Sequence, residues 1–148
     1  VTPFRLSEKI GITGTIPRIS EFEDTGGPFF IDKTGQFADS LPDDQAMWVN
    51  TSRGLIIVLG CCHSGLANTL HYVCHISGES RVAGIIGGLH LLHASSTRIE
   101  QTVSILAQLN PDFIYAGHCT GDDTITTIQN KLPKLKIHQL YAGLHIRL

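Results

Sequence analysis

The sequence has no long hydrophobic run, no basic cluster and no signal-peptide block. None of its apolar runs approaches the roughly 18 residues that a membrane-spanning helix needs, so we expect no membrane segment. The formal charge of −2 comes without a basic patch, and nucleic acid is therefore not an expected partner. The first residues also lack an initiator Met, which favours a fragment, a processed product or a trimmed form.

The cysteines do not fall into CxxC pairs. The four are Cys61, Cys62, Cys74 and Cys119. A disulfide between the adjacent Cys61 and Cys62 would be strained, so we expect reduced thiols and a cytoplasmic protein. Cys74 is expected to be a small buried hydrophobic residue. A closed structural zinc site in Cys61-Cys62-His63 and His118-Cys119 is an alternative, disfavoured because adjacent cysteines rarely both bind one ion.

The length favours a single domain, 1–148, in two parts. Residues 1–44 form an irregular N-terminal segment with a short strand within 9–16 and turn formers such as the Gly26-Gly27-Pro28 corner. Residues 45–148 form the compact part, in which 45–50 and 54–60 predict a hairpin. Helices at 66–76, about 96–109 and 122–131 alternate with strands at 82–86, 112–116, 136–140 and 144–148. This alternation predicts an α/β fold with right-handed crossovers.

Three of the predicted strands run into glycine and then histidine. The histidines are His63 after 55–59, His90 after 82–86 and His118 after 113–116. The carboxyl ends of neighbouring parallel strands meet at one edge of a sheet, where open α/β folds place their sites. Imidazole is the commonest protein metal ligand and also changes charge near neutral pH. The three positions therefore predict a metal site, or at least a polar reaction site.

Each of these residues also has an ordinary explanation. His63 precedes a helix start, so it could bind a metal, act as a base, contact an anion or bond to nearby backbone. The residues beside His90 in the sequence are apolar, which is also typical of a side chain packed in the fold. His71 and His75, four apart on one helix, lack the acidic partner of a HExxH motif, which favours a surface pair. Ordinary packing, solvent or turn positions are expected for His93, His138, His145 and Asp43-Asp44.

Six short motifs occur in order along nearly the whole chain. They are Thr13-Gly14-Thr15-Ile16-Pro17-Arg18, Asp43-Asp44-Gln45-Ala46-Met47, Gly60-Cys61-Cys62-His63-Ser64-Gly65, Asn68-Thr69-Leu70, Ile86-Gly87-Gly88-Leu89-His90-Leu91 and His118-Cys119-Thr120-Gly121. With them the chain resembles the carboxyl-terminal part of a metallo-β-lactamase-fold hydrolase. It is most similar to the dihydropterin-6-yl-methyl-(ribofuranosyl)aminobenzene-phosphate synthase-like branch. Thr15 stands where that branch often has Glu.

The resemblance implies the second half of an αββα sandwich, since the HxHxDH metal motif of the amino-terminal half is absent from the sequence. It implies that His63 and His118 bind metal in a two-ion site, with zinc favoured and manganese or iron as alternatives. It makes His90 a catalytic or substrate-contacting residue near the metals. Gly87, Gly88 and Thr120 are expected to bind substrate.

Metal-dependent hydrolysis or group transfer is the function that the resemblance implies for the complete protein, and the chain alone is expected to be incomplete for catalysis. The substrate would be a small molecule, possibly phosphorylated. The other half of the site would come from a missing N-terminal half or a second copy. The alternative is an inactive truncated module that acts through self-association or a partner chain. A Rossmann-like nucleotide binder is disfavoured because the GxGxxG turn is missing.

Overall fold

One seven-stranded sheet organises the chain in the computed structural model, which describes residues 1–24 and 27–147. The strands lie side by side in chain order: β1 (Phe4–Arg5), β2 (Ile10–Ile12), β3 (Ala46–Thr51), β4 (Gly54–Leu59), β5 (Val82–Gly87), β6 (Phe113–Ala116) and β7 (Lys136–Gln139). The pairs from β1 to β4 are antiparallel, and those from β4 to β7 are parallel. The predicted hairpin is β3–β4, and the predicted α/β class is confirmed.

Helices connect the parallel strands, as the sequence predicts. They are α1 (Leu66–Ser77), α2 (Ser96–Leu109) and α3 (Asp122–Lys131), and a short 3-10 turn covers His118–Thr120. Ser95 caps α2, because its hydroxyl accepts a hydrogen bond from the Arg98 backbone N–H at 3.2 Å. Gly78 ends α1 in the left-handed conformation that glycine adopts without a Cβ clash. None of the described helices has both the length and the apolar character that crossing a membrane requires.

The core lies between the sheet and the three helices. One row of side chains across the sheet is buried, and the register joins its members directly: Trp48, Ile57, Ile85, Ile114 and Ile137. The helices cover this row with their apolar faces, through Leu66, Leu70, Val73, Leu106 and Ile128 among others. Each fully buried aliphatic side chain contributes about 1.5–3 kcal/mol, so this layer supplies most of the folding free energy.

The other face of the sheet is less well covered. The neighbouring row in the same register is Met47, Val58, Ile86, Tyr115 and His138. The first four of these side chains are half-buried, His138 is exposed, and the rings of Tyr115 and His138 stack with their centroids 4.9 Å apart. An apolar row that is only half-buried in the isolated chain is typical of a surface that meets another structural layer.

The irregular regions differ from the expectations in several places. The predicted strand within 9–16 is restricted to Ile10–Ile12, and β1 was not predicted at all. The predicted strand at 144–148 is wrong for residues 144–147, because the chain turns there, with the Leu144 N–H donating to the Tyr141 carbonyl at 3.2 Å. Leu148, and Gly26 of the predicted corner, lie outside the described residues.

Candidate functional site

Three loops meet at one edge of the sheet, where β4, β5 and β6 end. These strands are neighbours and parallel, so their carboxyl ends lie side by side. His63 lies in the loop after β4, His90 in the loop after β5, and His118 directly after β6. The expectation that the three strand-Gly-His segments share an edge is therefore confirmed. Their roles as metal-binding or catalytic residues stay predictions.

Hydrogen bonds tie the three loops together. The Gly88 N–H donates to the Gly60 carbonyl at 2.8 Å, which joins the loops after β4 and β5. The Leu91 and Leu92 N–H groups both donate to the Cys119 carbonyl at 3.0 Å, which joins the loops after β5 and β6. Bonds between backbone groups of different loops fix the relative positions of their side chains, and such fixed positions are what a preorganised site requires.

Thr120 adds a side-chain bond to this network. Its buried hydroxyl accepts a hydrogen bond from the Leu89 N–H at 3.0 Å and donates to the Gly117 carbonyl at 2.9 Å. The hydroxyl therefore holds the loop after β5 against the turn that carries His118. Substrate binding by Thr120 stays a prediction, and the structure gives the residue a positioning role.

Gly87 and Gly88 lie where the loops come closest. A Cβ on Gly87 would collide with the Leu59 backbone, and the residue has a φ of 138°. A Cβ on Gly88 would lie 2.7 Å from the Cys119 sulfur and 2.9 Å from the Gly60 carbonyl oxygen. The glycine pair is therefore needed for the close approach of the three strand ends. Its predicted contact with substrate remains a prediction.

His63 and His90 form an aromatic group with Phe29. The centroids of the two imidazole rings are 4.2 Å apart, and the Phe29 ring lies 5.0 Å from His63 and 6.1 Å from His90. Phe29 reaches the site from the irregular N-terminal segment. Phe30 and Ile31, which follow Phe29, are exposed. The segment packs on the site through the Phe29 ring.

Two motif residues of the N-terminal segment hold the loop that carries His63. The Arg18 guanidinium donates to the His63 carbonyl at 2.7 Å and to the Ser40 carbonyl at 2.6 Å. Asp44 accepts a hydrogen bond from the Ser64 N–H at 2.7 Å through Oδ2. Asp44 was expected to be an ordinary turn residue, and its carboxylate instead fixes the backbone beside His63.

Glu23 and Asn68 fasten the N-terminal segment to α1. The Glu23 carboxylate accepts hydrogen bonds from the Ala67 and Asn68 N–H groups at 2.8 and 2.9 Å, and burial raises its pKa above the usual value. The Asn68 side-chain oxygen accepts from the Ile19 and Ser20 N–H groups, both at 2.9 Å. Sequence patterns gave no signal for Glu23, because it caps a helix 44 residues further along the chain.

His118 lies in a second group, with two thiols. Its Nδ1 is 3.6 Å from the Cys61 Sγ, and the Cys119 Sγ is 3.4 Å from the Cys61 carbonyl oxygen. One ligand atom from each of the three residues lies within 4.8 Å of the other two. Burial raises the pKa of the Cys119 thiol to about 11. Cys62 is excluded from the group, because its buried sulfur contacts the Thr69 hydroxyl at 3.6 Å.

Backbone strain also concentrates at this edge. Five non-glycine residues among those described have positive φ angles, and three of them, Cys62, His90 and His118, lie in the loops after β4, β5 and β6. A left-handed conformation costs about 1–2 kcal/mol for an ordinary residue. Such residues cluster at functional sites, where the surrounding structure enforces them.

The remaining histidines lie on the surface. His71 and His75 are exposed on α1, as expected of a helix-surface pair, and His71 lines a shallow apolar groove of about 590 Å³ between α1 and α2. His93 and His145 are also exposed. None of these four joins the described residues that could together hold a metal ion.

Comparisons with known proteins identify the fold. The chain is 36% identical over 123 residues to the 7,8-dihydropterin-6-methyl-4-(beta-D-ribofuranosyl)-aminobenzene-5'-phosphate synthase of Methanocaldococcus jannaschii, covering 83% of this chain and 42% of that protein. It is 30% identical over 128 residues to the uncharacterized protein MJ0448 of the same organism, covering 85% and 46%. The solved structure of Tm1679, a metal-dependent hydrolase of the beta-lactamase superfamily, matches with a TM-score of 0.85 and 28% identity.

The chain resembles part of a metallo-β-lactamase-fold hydrolase. The match to Tm1679 includes 99% of this chain and 56% of that one, and the chain spans about half the length of the curated relatives as well. No family model matches the sequence. The metallo-β-lactamase fold explains why one face of the sheet carries all three helices, since each sheet of an αββα sandwich has helices on its outer face only.

Proposed function

We propose that this chain supplies one half of the active site of a metal-dependent hydrolase or group-transfer enzyme. The observation that carries the proposal is the placement of His63, His90 and His118 on three linked loops at the carboxyl edge of a metallo-β-lactamase-fold sheet. In the proposal, His63 and His118 bind metal and His90 is the catalytic residue. Gly87, Gly88 and Thr120 form the wall that faces the substrate.

The donor atoms suit a divalent transition metal. Imidazole and thiol groups surround the edge, and these ligands favour zinc, with iron and manganese as less favoured alternatives. A bound ion of this kind supplies Lewis-acid polarisation and makes water more acidic. The chain would supply His63 and His118 as ligands to a site for two such ions. The structural neighbour Tm1679 supports a metal site, since it is a metal-dependent hydrolase.

The surrounding residues prepare the site for proton transfer. Arg18 and Asp44 fix the backbone on both sides of His63. The Phe29 ring packs beside His63 and His90, with centroid distances of 5.0 and 6.1 Å. Imidazole accepts and releases protons near neutral pH, so His90 is suited to take a proton from water or to return one to a leaving group.

The other half of the site comes from outside these 148 residues, either from another segment of the same protein or from a second copy of the chain. The sequence holds no HxHxDH motif, and the matched relatives are about twice as long. The half-buried row Met47, Val58, Ile86 and Tyr115 is the surface on which that half would pack. An inactive module that self-associates through this row is the second candidate.

The substrate in this proposal is a small molecule, possibly phosphorylated. The support for this choice is that the related M. jannaschii protein is named as the synthase of a phosphate compound. The strand-end cavity of about 430 Å³, lined by Gly87, Gly88 and His118 among others, has room for such a compound. We propose a cytoplasmic location, because four free cysteines fit a reducing compartment.

The test uses the complete protein that contains these residues, together with its His63→Ala and His118→Ala variants. Each variant should lose most of its bound metal, and hydrolysis of a chromogenic phosphodiester should fall at least about 100-fold. His71→Ala is the matched control, because this exposed imidazole lies on α1 outside the site and its loss should change neither quantity. Unchanged turnover in His63→Ala or His118→Ala would remove that residue from the site.

A further inference from the structure

Cys61, His118 and Cys119 already have nearly the spacing that a single metal ion requires. The Cys61 Sγ and the His118 Nδ1 are 3.6 Å apart, and all three ligand atoms lie within 4.8 Å of one another. In a tetrahedral zinc site, bonds of about 2.3 Å to sulfur and 2.0 Å to nitrogen place a sulfur and a nitrogen ligand about 3.5 Å apart and two sulfur ligands about 3.8 Å apart. Closure around an ion therefore requires shifts of about 1 Å or less.

The fold holds these three residues in place without a metal. Cys61 follows β4, whereas His118 and Cys119 follow β6, and β5 with its Gly88 lies between them. The Cys119 sulfur occupies the space that a side chain at position 88 would need. The Cys119 carbonyl is held by the Leu91 and Leu92 N–H groups at 3.0 Å. The two thiols therefore meet through tertiary structure, 58 residues apart in sequence.

We propose that Cys61, His118 and Cys119 form a three-ligand site for one soft or borderline divalent ion, with zinc as the best fit. Thiolate and imidazole ligands favour zinc over magnesium, calcium and manganese, which prefer oxygen. Three protein ligands leave a fourth position for water or substrate, which distinguishes catalytic from structural zinc sites. Cys61 and His118 also line the strand-end cavity of about 430 Å³.

The existence of this site depends on residues of this chain alone, although its role in catalysis rests on the proposed function. In the complete enzyme it would hold the ion that His118 binds, with two thiolates as further ligands. The ligand set excludes His63, whose ring lies beside His90 and Phe29. A test on the metal-binding atoms can therefore fail or succeed separately from a test of hydrolysis.

The test is a cobalt titration of the reduced, metal-free 148-residue chain, followed by absorption spectroscopy. One equivalent of Co²⁺ should produce ligand-field bands in the visible range together with thiolate-to-cobalt charge-transfer bands. Zinc in equimolar amount should abolish these bands, and a large excess of magnesium should not. Each of Cys61→Ser and Cys119→Ser should lose about half of the charge-transfer intensity, and the double variant should lose all of it.

Cys74→Ser and His71→Ala are the matched controls. Cys74 is a half-buried thiol and His71 an exposed imidazole on α1, and both variants should bind cobalt with the wild-type spectrum. Circular dichroism melts confirm that the serine variants are folded. Cobalt binding without charge-transfer bands, or bands that survive the Cys61→Ser/Cys119→Ser double variant, would overturn the proposal. So would a Cys61–Cys119 disulfide that forms under reducing conditions and prevents metal binding. Absence of any metal-dependent hydrolysis by the complete protein would count against the proposed function without affecting this site.

Discussion

At the scale of single residues, His118 combines an exposed imidazole, a left-handed backbone and a neighbouring thiol. Its φ is 52°, a conformation that glycine adopts without strain. His118→Gly should therefore leave the metal-free chain as stable as the wild type or more stable by up to about 1 kcal/mol, because relief of strain offsets the added freedom of the unfolded chain. Metal binding should be lost in the same variant.

Urea denaturation of the metal-free chain measures this effect. His118→Ala is the matched control, since alanine removes the imidazole but keeps the strain, and it should be no more stable than the wild type. A loss of more than about 1 kcal/mol in His118→Gly would show that the imidazole contributes to the fold and is not merely held there for function.

Cys62 provides a second prediction at this scale. It is 2% exposed, and burial raises its pKa above the usual value, so its thiolate is not available as a nucleophile. Iodoacetamide at pH 8 should therefore leave Cys62 unmodified in the folded chain and modify all four cysteines in urea. Mass spectrometry of peptides gives the result directly. Modification of Cys62 at the same rate in both states would contradict its buried position.

The sequence predicts where the three histidines lie in the fold, but it does not predict which side chains they contact. A buried strand followed by glycine and histidine is a local pattern, and it places His63, His90 and His118 at one edge once the strands are known to be parallel. The grouping of His118 with Cys61, and of His63 with Phe29, depends on loop conformations that no local pattern encodes. The support of His63 by Arg18 was missed for the same reason, since it spans 45 residues.

At the scale of secondary structure, α1 begins without a side-chain cap of its own. Its N-cap is Gly65, and the Glu23 carboxylate from the N-terminal segment binds the Ala67 and Asn68 N–H groups instead. Glu23→Ala should therefore destabilise the chain by about 1–2 kcal/mol in urea denaturation. Glu21→Ala, an exposed acidic residue in the same segment, should change stability by less than about 0.5 kcal/mol.

The same carboxylate gives a pH dependence with a definite sign. Burial raises the pKa of folded Glu23, so the folded state binds its proton more tightly than the unfolded state does. The contribution of Glu23 to stability is then largest below the ordinary Glu pKa of about 4.3 and declines as pH rises through the raised folded value. The stability difference between wild type and Glu23→Ala should be smaller at pH 7 than at pH 4. An equal difference at both values would contradict the raised pKa.

The regular elements were predictable and the irregular ones were not. The bounds of α1, α2, α3 and β3 to β6 agree with the sequence expectations to within about two residues, because apolar periodicity and caps define them locally. The strand predicted at 144–148 was wrong for residues 144–147, which follow a turn after Tyr141 and join none of the seven strands of the described sheet. Residues 13–24 and 27–44 are positioned by long-range contacts, such as those of Glu23 with α1 and of Phe29 with His63.

At the scale of the whole molecule, the half-buried row on the sheet predicts association. Met47, Val58, Ile86 and Tyr115 lie side by side on the face opposite the helices. The isolated chain should therefore self-associate in sedimentation velocity, and Ile86→Lys should weaken the association at least about tenfold by placing a charge in the row.

Leu92→Lys is the control for this experiment, because Leu92 is 55% exposed in the loop after β5, outside the row. This variant should associate as the wild type does. A folded wild-type chain that stays strictly monomeric at high concentration would count against packing of any further layer on this face.

Metal content decides whether these residues form one half of a two-ion site. Elemental analysis should be made on the purified 148-residue chain and on the complete protein that contains it, both after dialysis. We expect two ions per molecule in the complete protein and at most one in the 148-residue chain, and His118→Ala should lose that one. Two tightly bound ions in the chain alone, or none in the complete product, would contradict the claim that these residues form one half of a two-ion site.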